Sequence, residues 1–372
     1  MTNPGTYQRL EALDVFRGLT IAAMILVSTP GSWEAGYWPL EHAAWDGWTP
    51  TDLVFPFLLF AMGAAVPFAM ARRRGTERRI RRHVIRRALI LFALGLLLNA
   101  IETPPPLVWS TFRIPGVLQR IALVYAAVAG LAERTSWRTQ LAAAISALVG
   151  YWVVMVIVPV PGAGPGVLTP EGNLASFVDR ALLGRHLAHG LWDPEGVLST
   201  IPAIATALFG VFAGDWLNRP GATRHRTAAL LVAGLGAAVL GLLWDQVFPI
   251  NKSLWTSSFA LLSGGLAAAG LAACHWVLDV KHWRGWEGPF LAFGRNALVG
   301  YTLSVGVDSL LTNWMVSPDT SLKGAIYQHL FAQRLVPCCG AETASLVYAL
   351  AYVALWGVVL GVMYRKRVFI GI

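Results

Sequence analysis

The stretch Leu40–Phe57, LEHAAWDGWTPTDLVFPF, places one histidine and three acidic residues at the entrance to a long apolar run. His42 is the residue best suited to proton transfer, because a neutral imidazole is the usual general base near neutral pH. Such a base works best when a carboxylate accepts its second N–H. Glu41, Asp46 and Asp52 all lie close enough in sequence to do this. Asp46 shares a face with His42 if the segment is helical, but Gly47 and Pro50 keep any helix there short. Thr49 and Pro50 suit the start of the next helix, Thr as cap and Pro in the first turn. The bland alternative is a solvated loop histidine.

Further polar residues fall where the surroundings are strongly apolar. Near His42 in the expected layout are Asn99, Arg113, Gln119, Arg120, Asp245, Asn251, Lys252 and Asp308. A second set comprises Asp14, Arg17, the arginines from Arg72 to Arg87, Arg295 and Asn296. A charge inside hydrocarbon costs at least about 2.5–3.5 kcal/mol, so each needs a partner or a function. Internal pairing is one solution: Asp14 with Arg17 at i,i+3, and Asp52 with Arg113 or Arg120. His186 and His189 have i,i+3 spacing but no cysteine nearby, and no metal is expected. No GxSxG, phosphate-loop or dinucleotide fingerprint occurs. Cys274 reads as a small core residue, and the adjacent Cys338 and Cys339 as free thiols or a strained vicinal disulfide.

The elements that must position these groups follow from composition. Of 372 residues, 56% are hydrophobic and 13% charged, and the mean hydropathy is +0.56. A soluble chain would carry about a quarter charged residues. The expectation is an all-α, polytopic transmembrane helix bundle forming a single domain over 1–372. About ten spans are expected, near 14–31, 52–71, 88–102, 114–132, 139–159, 199–217, 227–248, 255–279, 290–311 and 344–364. No cleavable signal pattern is expected ahead of the first span.

Basic residues give the orientation. Of 29 Lys and Arg, 21 fall in one set of connections and six in the other. The positive-inside rule then puts both termini and the basic loop 72–87 in the cytoplasm. The net charge of +9 is thereby explained without nucleic acid. The outer loops are expected at about 32–51, 160–198 and 312–343, with a short amphipathic helix in the second. Nine of the 16 tryptophans lie near outer ends, where they form an interfacial belt or supply stacking faces for a sugar.

Several segments carry a resemblance. LDVFRGLTIAAMILV, HAAWDGWTPTDLVFPFLLFAMG, RIPGVLQRIAL, DPEGVLSTIPAIATALFG and NKSLW occur in that order. Together, over about residues 9 to 364, they resemble the heparan-α-glucosaminide N-acetyltransferase family. The resemblance implies a multi-pass acyltransferase of a bacterial inner membrane, without the extra luminal domain of the lysosomal relatives. It would move acetyl from cytoplasmic acetyl-CoA to the amine of a glucosamine-type acceptor on the outer side, and it would form a homodimer. The family's active-site histidine maps to His42, and Ser28 stands where relatives have an asparagine. Asp46 and Asp52 are candidate orienters. Arg113, Gln119, Arg120, Asn251, Lys252 and Trp255 are expected on the acceptor side. Arg17, Arg86, Arg87, Arg295 and Asn296 are expected to meet the anionic donor, although Arg86 and Arg87 also suit anchors to anionic lipid. His42 serves either as base for the acceptor ammonium or as a nucleophile forming acetyl-imidazole. Two other readings stand: a transporter or flippase of a sugar or lipid-linked glycan, and an O-acetyltransferase of an envelope glycan.

Overall fold

The computed structural model describes residues 10–72, 77–103 and 107–370. In chain order its helices are α1 Glu11–Ser28, α2 Val54–Arg72, α3 Glu77–Glu102, α4 Val117–Arg134, α5 Trp137–Ile157, α6 Leu174–Leu183 and α7 Thr200–Asn218. They continue with α8 Thr223–Trp244, α9 Ser257–His275, α10 Gly288–Arg295, α11 Ala297–Asn313, α12 Leu322–Tyr327, α13 Gln333–Cys339 and α14 Ala341–Arg365. A small two-stranded ribbon pairs Met315–Ser317 with Thr320–Ser321. Each of the ten expected segments is helical. Among the described residues seven helices are long and apolar enough to cross a membrane, and the chain is an integral membrane protein. The other three segments are more polar or interrupted. Both α1 and α4 carry three charged residues (Glu11, Asp14 and Arg17; Arg120, Glu133 and Arg134). The ninth segment is broken at Asn296 between α10 and α11.

The basic segment at 72–87 is not one long loop. From Glu77 it is the first half of α3, which lengthens the short third segment to 26 residues. Arginine is a good helix former, and nothing between Arg78 and Arg87 breaks the helix. Residues 73–76 lie outside the described residues.

Small residues let the central helices approach each other closely, as in membrane bundles generally. A Cβ on Gly18 of α1 would lie 1.8 Å from the Phe290 carbonyl oxygen of α10, and one on Gly294 would lie 1.9 Å from that of Asp14. The same holds between α2 and α7, where Gly63 faces Ala207 O and Gly210 faces Phe60 O. About two thirds of the spanning windows of α2, α7 and α9 is buried, against 28% in α3, α5, α8 and α14. The latter four therefore turn apolar faces outward, as helices against lipid do.

The expected loop helix is α6. Its Asn173 cap accepts from Ser176 N, supplying a partner to an otherwise orphaned helix-terminal donor.

Candidate functional site

The segment around His42 is irregular. Gly47 has φ +91, a conformation glycine adopts without a Cβ penalty, and its N–H donates to Ile250 O. Asp46 therefore does not share a helical face with His42. Instead Thr49 caps a 3-10 turn, Pro50–Leu53, which runs straight into α2. Asp52 completes a capping box and becomes the hub of the segment. Its Oδ2 accepts from Ala43 N (3.1 Å) and Thr49 N (3.0 Å). Its Oδ1 lies 2.7 Å from His42 Nδ1. The carboxylate is 1% exposed, whereas the imidazole is 50% exposed. An ionised carboxylate can only accept, so Nδ1 carries the proton and Nε2 keeps its lone pair.

Lys252 closes the group. Its Nζ is 3.0 Å from Nδ1, 3.3 Å from Nε2 and 3.4 Å from Asp52 Oδ1. Being nearly equidistant from both ring nitrogens, it rests against the face of the ring and not at the tip of the Nε2 lone pair. Burial lowers the Lys252 pKa from its ordinary value, and the Asp52 charge offsets this only in part. Asn251 holds the lysine in place: its Nδ2 donates to Asp46 Oδ1 at 3.1 Å and its Oδ1 accepts from Leu254 N at 2.8 Å. Of this group His42 lines a hollow of about 380 Å³, whose walls also include Trp33, Tyr37, Glu41, Glu342 and Ser345. Ser28, at the end of α1, does not line it.

The arginines of RIPGVLQR sit at the same end but are engaged elsewhere. Arg113 grips Asp193 through Nε (2.9 Å) and Nη2 (2.8 Å), and Glu195 through Nη2 (2.5 Å). Burial alone would lower the Arg113 pKa, but the bonds and charges of Asp193 and Glu195 raise it well above the ordinary arginine value. Asp52 thus pairs with neither Arg113 nor Arg120. Arg120 is 1% exposed; its Nη2 donates to Gly196 O and Ser199 Oγ. Its guanidinium lies over Trp255, 5.1 Å from the ring centroid. Trp255 is itself 1% exposed and packs edge-on to Phe55 and Phe259. It therefore offers no face to a sugar, contrary to its sequence assignment. Gln119 is buried against Gly95 and Gly116. His186 donates from Nδ1 to Phe112 O, and His189 stacks on Trp192. The sulfurs of Cys338 and Cys339 are 2.8 Å apart as free thiols.

A second cavity, about 480 Å³, lies toward the opposite, arginine-rich end. Arg17, Arg87 and Arg295 line it together with Asp14, Tyr125 and Tyr301. Arg17 donates to Gly294 O (2.7 Å) and Asp14 Oδ1 (2.9 Å). Arg87 lies over Tyr125 and Arg295 over Tyr364 and Phe369. Two residues expected there are absent from its walls. Arg86 faces a separate shallow groove with Arg78 and Arg82. Asn296 is buried, and its amide is taken by the chain terminus, donating to Val368 O and accepting from Ile370 N. Tyr125 and Tyr301 carried no sequence signal, since aromatic residues inside apolar runs look like any other core residue.

The two spaces are offset along the bundle. Ile21 lines the arginine cavity and Leu26 the His42 hollow, about 8 Å apart along α1 at 1.5 Å per residue. Leu58 lines the former, and Asp52 lies about 9 Å before it along the 50–58 segment.

A family model described as "Heparan-alpha-glucosaminide N-acetyltransferase, catalytic" matches residues 9–242. The human (Homo sapiens) protein named heparan-alpha-glucosaminide N-acetyltransferase is 29% identical over 424 residues, covering 97% of this chain and 59% of its own length. The mouse (Mus musculus) protein of that name is 29% identical over 428 residues, covering 99% and 61%. The chain thus spans about three fifths of the length of the curated relatives it matches.

Proposed function

The chain belongs to the heparan-alpha-glucosaminide N-acetyltransferase family, and on that premise we propose that it transfers acetyl from acetyl-CoA to the amine of a glucosamine-type acceptor. The donor enters the arginine-lined cavity from the cytoplasm, and the acceptor occupies the hollow beside His42 on the outer side. The observation that carries this reading is the His42–Asp52 pair, 2.7 Å apart, opening on one hollow while a cavity lined by Arg17, Arg87 and Arg295 opens toward the other end.

The chemistry uses few groups. A thioester is already activated, so the protein must position it, deprotonate the amine and stabilise an oxyanion. His42 Nε2 takes the ammonium proton of the acceptor. The amine nitrogen attacks the thioester carbonyl carbon, a C–N bond forms and the C–S bond breaks; the sulfur leaves as thiolate and picks up the nitrogen's second proton as thiol, while the imidazolium returns the first proton to water. Asp52 holds the ring in the tautomer this requires and stabilises the imidazolium. Lys252 Nζ, fixed against the ring, is the cation nearest the developing oxyanion. Arg17, Arg87 and Arg295 meet the donor's phosphates, for which guanidinium geometry is suited.

The test is acetyl transfer by the purified full chain from labelled acetyl-CoA to glucosamine. His42→Ala should lose about 100- to 10,000-fold in turnover while still binding acetyl-CoA. Wild-type turnover in that variant removes the assignment of the base. Label retained on His42 in the absence of acceptor replaces the base role with an acetyl-imidazole route. Ester product, released by esterase, redirects the reading to O-acetylation, and sugar movement without acetyl transfer redirects it to transport.

A further inference from the structure

The hollow beside His42 has a charge pattern that the reaction itself does not require. No lysine or arginine occurs between Arg17 and Arg72, while Glu34, Glu41, Asp46 and Asp52 do. Asp52 is committed to His42 and Lys252, and Asp46 to Asn251. Arg113 is taken by Asp193 and Glu195, and Lys323 by Asp308 at 2.9 Å. Glu41 and Glu342 line the hollow on opposite sides of the chain, one beside His42 and one in the first turn of α14. Neither has an ion-pair partner among the described residues. Trp33 and Tyr37 add flat aromatic faces, and Tyr37 is oriented by its hydroxyl's bond to Thr343 Oγ1 at 2.8 Å. The volume of about 380 Å³ falls in the range of small-molecule sites, roughly 300–1,000 Å³.

We propose that this hollow selects a cationic, unsulfated amino sugar as acceptor, and that Glu41 and Glu342 set that specificity. Two uncompensated carboxylates attract an acceptor ammonium and repel sulfate or uronate groups, and like charge in such a site is a means of excluding the wrong partner. The acceptor's amine is thereby drawn to the histidine that must deprotonate it, and a sugar face lies against Trp33 or Tyr37. The inference rests on the acetyl-transfer reading above and narrows its acceptor to polyamine-like glucosaminides, away from polyanionic ones.

The experiment compares two acceptors on the purified full chain with acetyl-CoA: fully de-N-acetylated chitotetraose, and a sulfated oligosaccharide bearing a free glucosamine amine. The expected kcat/KM favours the chitotetraose at least tenfold, with the gap narrowing as salt rises to 0.5 M. Glu41→Gln and Glu342→Gln should each raise KM for chitotetraose severalfold with kcat less affected, and Glu342→Lys should shift preference toward the sulfated acceptor. Calorimetry with chitotetraose and donor-free protein should show the same loss of binding in the glutamine variants. Equal or better use of the sulfated acceptor overturns this inference and leaves the acetyl-transfer reading intact. Glutamate-dependent binding of chitotetraose without acetylation of any amine does the reverse. Glutamine variants that bind and turn over chitotetraose like the parent overturn the assignment of these residues.

Discussion

His42 Nδ1 lies 2.7 Å from Asp52 Oδ1, and the same carboxylate caps the turn that begins α2. Helix start and imidazole orientation are thus one structural unit. Asp52→Asn keeps the approximate shape but replaces an obligate acceptor with a group that can also donate, so the ring can take the other tautomer. By analogy with triads altered in this way, turnover should fall by about 1,000- to 10,000-fold, with a smaller change in acceptor KM. The kcat and KM of the purified variant check this. A loss confined to KM sinks the orienting role.

Arg113 is predicted to matter first for stability. Asp193 is buried beneath it, so Arg113→Ala leaves a buried carboxylate without its cation, a change that typically costs about 3–5 kcal/mol. Arg180 is half-buried, donates to Leu191 O and holds no buried carboxylate, and Arg180→Ala should stay within about 0.5 kcal/mol. Thermal unfolding in detergent compares the two. Equal melting temperatures for both variants sink the prediction.

Asp179 on α6 gives the long connection a pH dependence. Burial pushes its carboxyl up to about 6, with the charge of Asp193 adding to the rise, and the Val197 N–H and the Arg120 charge only partly counter this. The folded value therefore exceeds the ordinary 3.8. Stability from this residue is full below about pH 4 and is lost as pH rises through 6. The upper bound is on the order of 3 kcal/mol. Hydrogen exchange of residues 174–200 should be slower at pH 5 than at pH 7.5 after correction for intrinsic rates. Asp179→Asn should flatten that difference, because the amide oxygen still accepts from Val197 N.

The arginine-lined cavity, the donor site of the proposal, separates two adjacent arginines. Arg87 lines it and Arg86 does not. Arg87→Ala and Arg295→Ala should each raise the KM for acetyl-CoA about tenfold, the effect of one charge-assisted contact, and Arg86→Ala should change it less than twofold. Equal effects of Arg86→Ala and Arg87→Ala place the donor elsewhere.

Much of this arrangement is legible in the sequence. Long apolar runs must become helices in a membrane, because each backbone polar group needs an internal partner. The Thr49–Pro50 start, the i,i+3 pair Asp14–Arg17 and the short helix in the 160–198 connection follow from local chemistry. What stayed hidden is long-range. Glu41, Asp46 and Asp52 were equivalent partners for His42 until the backbone turned at Gly47. Arg113 finds Asp193 some 80 positions away, and no spacing encodes that. Trp255 looked like an interfacial aromatic, but the left-handed turn at its own backbone (φ +50) accompanies its burial under Arg120. Asn296 looked like a ligand for an anion, yet its amide is spent on the backbone at Val368 and Ile370.

The offset of about 8 Å between the two spaces along α1 has an electrical meaning. Ile25, buried on the stretch of α1 between Ile21 and Leu26, belongs to the thin partition that separates the two hollows. Each elementary charge moved across a membrane at 100 mV gains or loses about 2.3 kcal/mol, and most of that drop would fall over this partition. On the proposed acetyl-transfer reading, an acyl arm reaching His42 would part these side chains like a gasketed cable through a bulkhead, admitting the acetyl group while keeping protons from flowing beside it.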